Sequence, residues 1–197
     1  MSQSSPLFPA ISLILASKSP RRAQLLSEAG FDFRVRAADV AEDYDPGMDV
    51  LEVAPFLAQK KARGSMHSLQ AADEVLLTAD SVVILEGKIF GKPADREEAV
   101  SMLNRLSGRR HTVITGVCLK NESHERVFAG RSEVDFYELS KTEIAYYLDT
   151  CQPYDKAGAY GIQEWLGMCK IRRIEGTYQN VMGLPVDLVY EQLCKWP

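Results

Sequence analysis

The segment "ILASKSPRRAQLL" (residues 14–26) runs from an apolar stretch into a helix-forming one, and two adjacent arginines, Arg21 and Arg22, sit at the join. A helix start already carries positive potential and favours an anion. Two fixed guanidinium groups placed there make sense when a more negative guest meets both. The unpaired N–H groups of a first helical turn are a ready anion site, and the forked donors of arginine match phosphate oxygens bidentately. Taken alone, the Arg21-Arg22 pair also reads as two solvated surface side chains.

Four further positions could add chemistry. Asp80 interrupts the apolar run "VLLTADSVVIL". A carboxylate there is costly unless it is paired, hydrated or bound to metal. It reads either as a metal ligand or general base at a strand's C-terminal end or a bulge, or as a cap at a strand end. Lys61 in "AQKKA" and Lys92 in "GKP" are point charges suited to phosphate, and singly each also reads as a solvated lysine. Glu42 lies in the acidic stretch "DVAEDYDPGMD"; a hard cation such as Mg²⁺ takes one or two carboxylates plus substrate phosphates. Gln163, in "YDKAGAYGIQE", offers both a donor and an acceptor for a base edge, while Gly158 and Gly161 permit close backbone approach. That stretch is neither a Walker A loop nor a dinucleotide fingerprint. Two cationic clusters, two carboxylates and an amide suit a polyphosphate bound with a divalent ion.

The elements that must carry these residues follow from pattern. Residues 11–16 predict a buried strand, and 20–29 a helix with Ser19 as N-cap, Pro20 at its first position and Gly30 as its stop. Residues 33–37 predict a short strand, and Pro46-Gly47 a turn. Asp49 and Glu52 have capping-box spacing before a helix that starts near Pro55. A strand over 75–85 turns at Glu86-Gly87. Residues 94–108 predict an amphipathic helix, and 111–120 and 126–139 long antiparallel strands about "NESHE". Ser140 and Glu143 form a capping box before "IAYYLDT". Residues 151–164 read as loop, 166–176 as a strand, and a last helix runs from Pro185 to about Lys195. Early strand–helix alternation followed by a hairpin predicts an α/β fold with a mixed sheet, in one domain spanning 1–197.

Bulk composition narrows the partners. The 197 residues are 46% hydrophobic and 25% charged, with a formal net charge of −4. A grip on a nucleic-acid polymer usually needs a basic excess, so no such partner is expected. The four cysteines form no C-x-x-C pair, and His67, His111 and His124 are scattered, which suggests neither a zinc site nor a disulfide framework. The N-terminal stretch lacks the basic region of a signal peptide, and no run reaches membrane-span length. A cytoplasmic protein without a membrane partner is expected.

The segments "LASKSPRRAQLL", "QKKA", "TADSVVILEGKIFGKP", "DKAGAYGIQ" and "VMGLP" together resemble the Maf family of nucleoside triphosphate pyrophosphatases, in order and spacing, from about Leu13 to Leu193. The resemblance implies hydrolysis of a nucleoside triphosphate to its monophosphate and pyrophosphate. It implies an α/β fold of the Maf/ITPase kind, an elongated mixed sheet flanked by helices with two lobes around a cleft. It implies a divalent cation, Mg²⁺ or Mn²⁺, and a homodimer. In this reading Asp80 is the catalytic proton acceptor. Ser19, Arg21, Arg22, Lys61 and Lys92 bind the substrate phosphates. Glu42 and Asp80 hold the metal, and Arg22, Ser81 and Gln163 set substrate choice.

"AGAYGIQ" resembles the branch that acts on dTTP, UTP and modified pyrimidine nucleotides in a house-cleaning role. Two positions depart from that branch. Ser81 stands where threonine is common, and Glu164-Trp165 stands where glycine usually follows the glutamine. The alternatives are a 7-methyl-GTP or ITP pyrophosphatase and a nucleotide-binding regulator of septum formation that does not turn over.

Overall fold

A computed structural model describes residues 11–37 and 39–197. The opening stretch read above for a leader lies, as far as residue 10, outside the described residues. The chain divides into two compact units: residues 1–80, 115–130 and 183–197 form the first, and residues 81–114 and 131–182 the second. Three long strands contribute to both.

The first unit opens with β1 (Ser12–Leu15), α1 (Pro20–Glu28) and β2 (Phe33–Val35). β1 is central here. It pairs in parallel with β2, Leu15 opposite Val35, and in parallel with β3 (Glu74–Leu85), Leu15 opposite Leu77. A strand buried on both faces should be apolar, and β1 is from Leu13 to Leu15, its buried part. α2 (Val53–Gly64) covers the sheet: Ala58 and Ala62 pack with Ile14, Leu76 and Cys118, all fully buried. The small alanines let helix and sheet backbones approach closely. Gly116 does the same on β5 (Arg110–Lys120), since a Cβ there would lie 2.3 Å from the backbone of Ala54 and Pro55. Glu74, at the foot of β3, is a buried carboxylate clasped by Arg36 at 2.7 and 2.8 Å and by Arg34 at 2.8 Å. The Arg36 hydrogen bonds hold its pKa down at about 2.

In the second unit β3 turns back through Glu86-Gly87 into the antiparallel β4 (Lys88–Phe90). α3 (Arg96–Leu106) is capped by Asp95, whose side chain accepts from the Glu98 N–H at 2.8 Å. β6 (Glu125–Phe136) pairs antiparallel with β7 (Ile171–Glu175). α4 (Lys141–Cys151) starts with the expected capping box, Ser140 and Glu143 exchanging hydrogen bonds. Leu103, Leu106, Val134, Tyr147, Leu148 and Leu166 form a core in which each is at most 1% exposed.

The sheet as a whole has seven strands in the order β2-β1-β3-β5-β6-β7, with β4 beside β3, a mixed sheet in an α/β fold. Several expectations are corrected. Glu52, not Asp49, is the residue before α2, and it makes no side-chain cap; the helix starts at Val53 with Pro55 inside its first turn, where no N–H is needed. Residues 166–176 are half helix: α5 (Trp165–Lys170), with Leu166 as its buried residue, precedes β7. A short α6 (Tyr178–Met182) was hidden by its brevity, and α7 (Val186–Cys194) closes the chain. Among the described residues no helix is long and apolar enough to cross a membrane.

Candidate functional site

In the first unit, β1 delivers the chain to the start of α1. Ser19 occupies the N-cap position with extended backbone, and Pro20 follows at the first helical position. Contrary to expectation the Ser19 hydroxyl caps nothing; its own N–H donates to Ser17 Oγ at 3.2 Å. The first turn of α1 holds no acidic residue. Arg22 turns back from this turn: its Nε donates to the Gly183 carbonyl at 2.9 Å and its Nη1 to Ser17 Oγ at 3.3 Å. Burial lowers the Arg22 pKa; the Asp80 carboxylate opposes this, the Arg21 charge adds to it, and Glu42 opposes it. An arginine stays protonated through such a shift, so this end of the unit keeps two cations beside two carboxylates.

Those carboxylates meet on one lysine. Lys61, on α2, donates to Glu42 Oε1 at 2.8 Å and forms a close ion pair with Asp80 Oδ1. The Lys61 and Asp80 side chains are only 16% and 12% exposed, while Glu42 is 46% exposed. The fold dictates this meeting. Thr78 Oγ1 donates to the Ala58 carbonyl at 2.7 Å, which docks α2 on β3 two residues before Asp80. Residues 39–49, which read as a plain acidic loop, are pinned by lysines: Lys18 to Asp39 at 2.6 Å, Lys60 to Asp43 at 2.7 Å, Lys61 to Glu42. Asp80 is mid-strand, which removes its reading as a strand-end cap and also corrects the expected position at a strand's C-terminal end.

In the second unit the structure gathers the loop of residues 152–164. The Gly158 N–H donates to the Gly91 carbonyl at 3.0 Å, which ties this loop to the segment carrying the exposed Lys92. Gly158 has φ +69°, and a Cβ there would lie 3.1 Å from Val83. Gln163 is half-buried, and its Oε1 is enclosed without a hydrogen-bond partner among the described residues. Ser81 begins this unit's share of β3 and is half-buried.

Beneath Gln163 lies a network that the sequence did not announce. Tyr147, in α4, donates its hydroxyl to Glu164 Oε2 and accepts the Gly161 N–H at 2.9 Å. Glu164 Oε1 pairs with Lys156 Nζ at 2.9 Å, and Lys156 also pairs with Asp155 at 2.6 Å. Burial and the Glu164 carboxylate together push the Tyr147 phenol well above its usual value. Tyr147 read only as part of the segment after the Ser140–Glu143 capping box, and Lys156 only as loop. Neither type nor spacing marks such a contact in advance.

The family model of the Maf-like proteins matches residues 12–196. The chain belongs to that family. Over 183 residues it is 51% identical to a protein of Porphyromonas gingivalis named dTTP/UTP pyrophosphatase, covering 92% of each chain. It is 46% identical over 184 residues to a Bacteroides thetaiotaomicron protein of the same name, covering 93% of this chain and 95% of the other. Among solved structures it is similar to the Staphylococcus aureus Ham1 protein, with a TM-score of 0.55 at 15% identity, covering 93% and 98% of the two chains. At that identity the likeness speaks for fold alone.

A divalent cation can be tested against the donors present. Among the described residues no group of three or more His, Cys, Asp or Glu side chains converges. Asp80 and Glu42 do converge on one ammonium group. Two carboxylates fit an ion such as Mg²⁺ that draws its other ligands from phosphate oxygens and water, and do not fit an all-protein cage.

Proposed function

We propose that this chain is a nucleoside triphosphate pyrophosphatase acting on dTTP, UTP and modified pyrimidine triphosphates, with residues 1–197 as one functional domain. The observation that carries the reading is the Asp80–Lys61–Glu42 cluster beside Arg22. The names of its relatives support the same chemistry. A triphosphate brings enough negative charge to compete with both carboxylates for Lys61. Arg21, Arg22, Lys61, Lys92 and the N–H groups next to Ser19 then neutralise the phosphate chain. Lys61, drawn to phosphate, leaves the Asp80 carboxylate free to take a proton. Asp80 accepts it from a water whose oxygen bonds to the α-phosphorus in line. The α–β bridging P–O bond breaks, and pyrophosphate leaves with the electron pair. Asp80 and Glu42 would hold the Mg²⁺ or Mn²⁺, which when bound neutralises charge developing on the phosphate oxygens. The homodimer and cytoplasmic setting belong to the same reading.

Base choice falls to Gln163, with Arg22 and Ser81 as further selectivity positions. Its amide offers an acceptor, Oε1, that pairs with a donor. Uracil and thymine offer one at N3–H, with carbonyls beside it for the amide Nε2. Cytosine has an acceptor at N3 and would leave Oε1 unpaired, and sites built on such pairs reject the mismatched ligand strongly.

The test is pyrophosphate release with Mg²⁺ or Mn²⁺ from dTTP, UTP, CTP, ITP and 7-methyl-GTP, with Asp80→Asn as control. Release from dTTP and UTP that the variant loses is the expected result. Release chiefly from ITP or 7-methyl-GTP would keep the chemistry and overturn the role of Gln163. Nucleotide binding without release would favour the regulator.

A further inference from the structure

Glu164 is the residue before α5, a position where short side chains such as Asp or Ser cap the helix amides. Here it makes no such cap. Its carboxylate turns instead to Tyr147 and Lys156. Tyr147 is fully buried, and the side chains of Lys156 and Glu164 are 10% and 18% exposed. A carboxylate so enclosed is tolerated because each oxygen has a strong partner, and loss of either partner leaves charge uncompensated.

The same groups define the turn that bears Gln163. The Gly161 N–H ends on the Tyr147 hydroxyl, and the Glu164 N–H closes back on the Gly161 carbonyl at 3.1 Å. Gly161 itself is the seat: a Cβ there would lie 2.8 Å from Glu164 Cδ and 2.9 Å from Gln163 Nε2. The Glu164 carboxylate and the Gln163 amide thus lie over one Cα, and Tyr147 holds that carboxylate and the Gly161 N–H. On the far side Trp165 packs edge-on against Tyr146 with ring centroids 5.3 Å apart, so the next residue is anchored to the same helix.

We infer that Glu164, bridged to Tyr147 and Lys156, is a positioning residue for base selection: it fixes the Gly161–Gln163 turn so that the Gln163 amide keeps one orientation toward the pyrimidine edge. The inference rests on the pyrophosphatase reading above. Its chemistry is that of pre-organisation. A base-reading amide discriminates only when it cannot pivot to suit the wrong base, and small misplacements in such a site cost about ten- to a hundredfold.

The experiment compares wild type, Glu164→Gln and Tyr147→Phe. Kinetics of pyrophosphate release are measured on UTP and CTP, with hydrogen exchange of the Gly161 segment and Tm alongside. The glutamine keeps an acceptor for Tyr147 and loses the charge facing Lys156. The phenylalanine keeps the core volume and removes the bridging hydroxyl. Both should raise KM for UTP about tenfold with kcat held within about twofold, and lower the UTP-to-CTP ratio of kcat/KM about tenfold. Exchange at Gly161 should quicken in both. A UTP-to-CTP ratio within about twofold of wild type in both variants overturns the inference, whatever Tm and exchange do, because the network is then only structural. A wild type that releases pyrophosphate from neither nucleotide overturns the pyrophosphatase reading and this inference with it.

Discussion

Lys61 in the first unit and Lys156 in the second are both lysines of low exposure held between two carboxylates. What surrounds each pair differs. The acids on Lys61 come from a strand and from a largely exposed loop residue, 19 positions to either side in sequence. Those on Lys156 come from its own loop, and the more buried one, Glu164, is tied to a core tyrosine. Exposure does not separate the two, since Asp80 and Glu42 are 12% and 46% exposed and Glu164 and Asp155 18% and 61%; Lys61 differs in bridging two segments distant in sequence, for which a phosphate can compete. A lysine whose partner is rooted in the core holds its backbone still. One arrangement suits a guest that must enter and leave, and the other a surface that must not yield.

That contrast can be broken experimentally. The largest effect is expected at Asp80. Asp80→Asn keeps the shape, removes the proposed proton acceptor, and should lower kcat for dTTP by about 10²- to 10⁴-fold. Tm should shift by only a few degrees. Loss of activity together with collapse of Tm would instead make Asp80 a folding residue.

Next comes Gly116→Ala, which forces a methyl group against the Ala54–Pro55 backbone and pushes on the helix that carries Lys61. We expect a loss of about 2–3 kcal/mol in urea unfolding. A loss of only a few tenths would mean that α2 yields freely.

Acid sharpens the comparison further. In the second unit His111 is buried against Tyr160, its Nε2 2.8 Å from the hydroxyl, and burial lowers its pKa to about 4. The unfolded chain binds that proton near pH 6.5, so the native state is favoured above 6.5 and loses stability as pH falls from 6.5 to 4, by about 3 kcal/mol. In the first unit Glu74 is held down at about 2 from 4.5, so its contribution is present above 4.5 and is lost between 4.5 and 2. Urea midpoints against pH should therefore flatten over 6.5–4 in His111→Asn and over 4.5–2 in Glu74→Gln. An unchanged slope in either variant refutes that assignment. The smallest effect is expected from Ser140→Ala, which removes one half of the α4 capping box for about 1 kcal/mol, read from Tm.

Legibility in the sequence followed how local the cause was. The α4 capping box, the Glu86-Gly87 turn and the buried β3 were readable because neighbouring residues decide them. α5 was misread as strand because "LGMCKIRRIEG" is β-branched at its far end, and the first half obeys burial set by residues elsewhere. Arg21, Arg22, Glu42, Lys61 and Asp80 could be named by type. Their convergence could not, since it depends on Thr78 and Gly116 drawing α2 onto the sheet. Tyr147 left no trace at all: its hydroxyl matters only because the fold returns Gly161 and Glu164 to it, 14 and 17 residues on.

Asp80 and Ser81 are neighbours in β3, and successive residues of a strand turn to opposite faces. The strand therefore reads by odd and even places, like a punched tape. Substitutions along it change one symbol. A single inserted codon after Thr78 would shift the frame of symbols, seating Ala79 where Asp80 belongs and Asp80 where Ser81 belongs, while Leu77 still pairs with Leu15. Every later residue would stay chemically intact and every message would be lost. A lineage carrying this gene can thus rewrite the letters of this stretch far more freely than it can change its length.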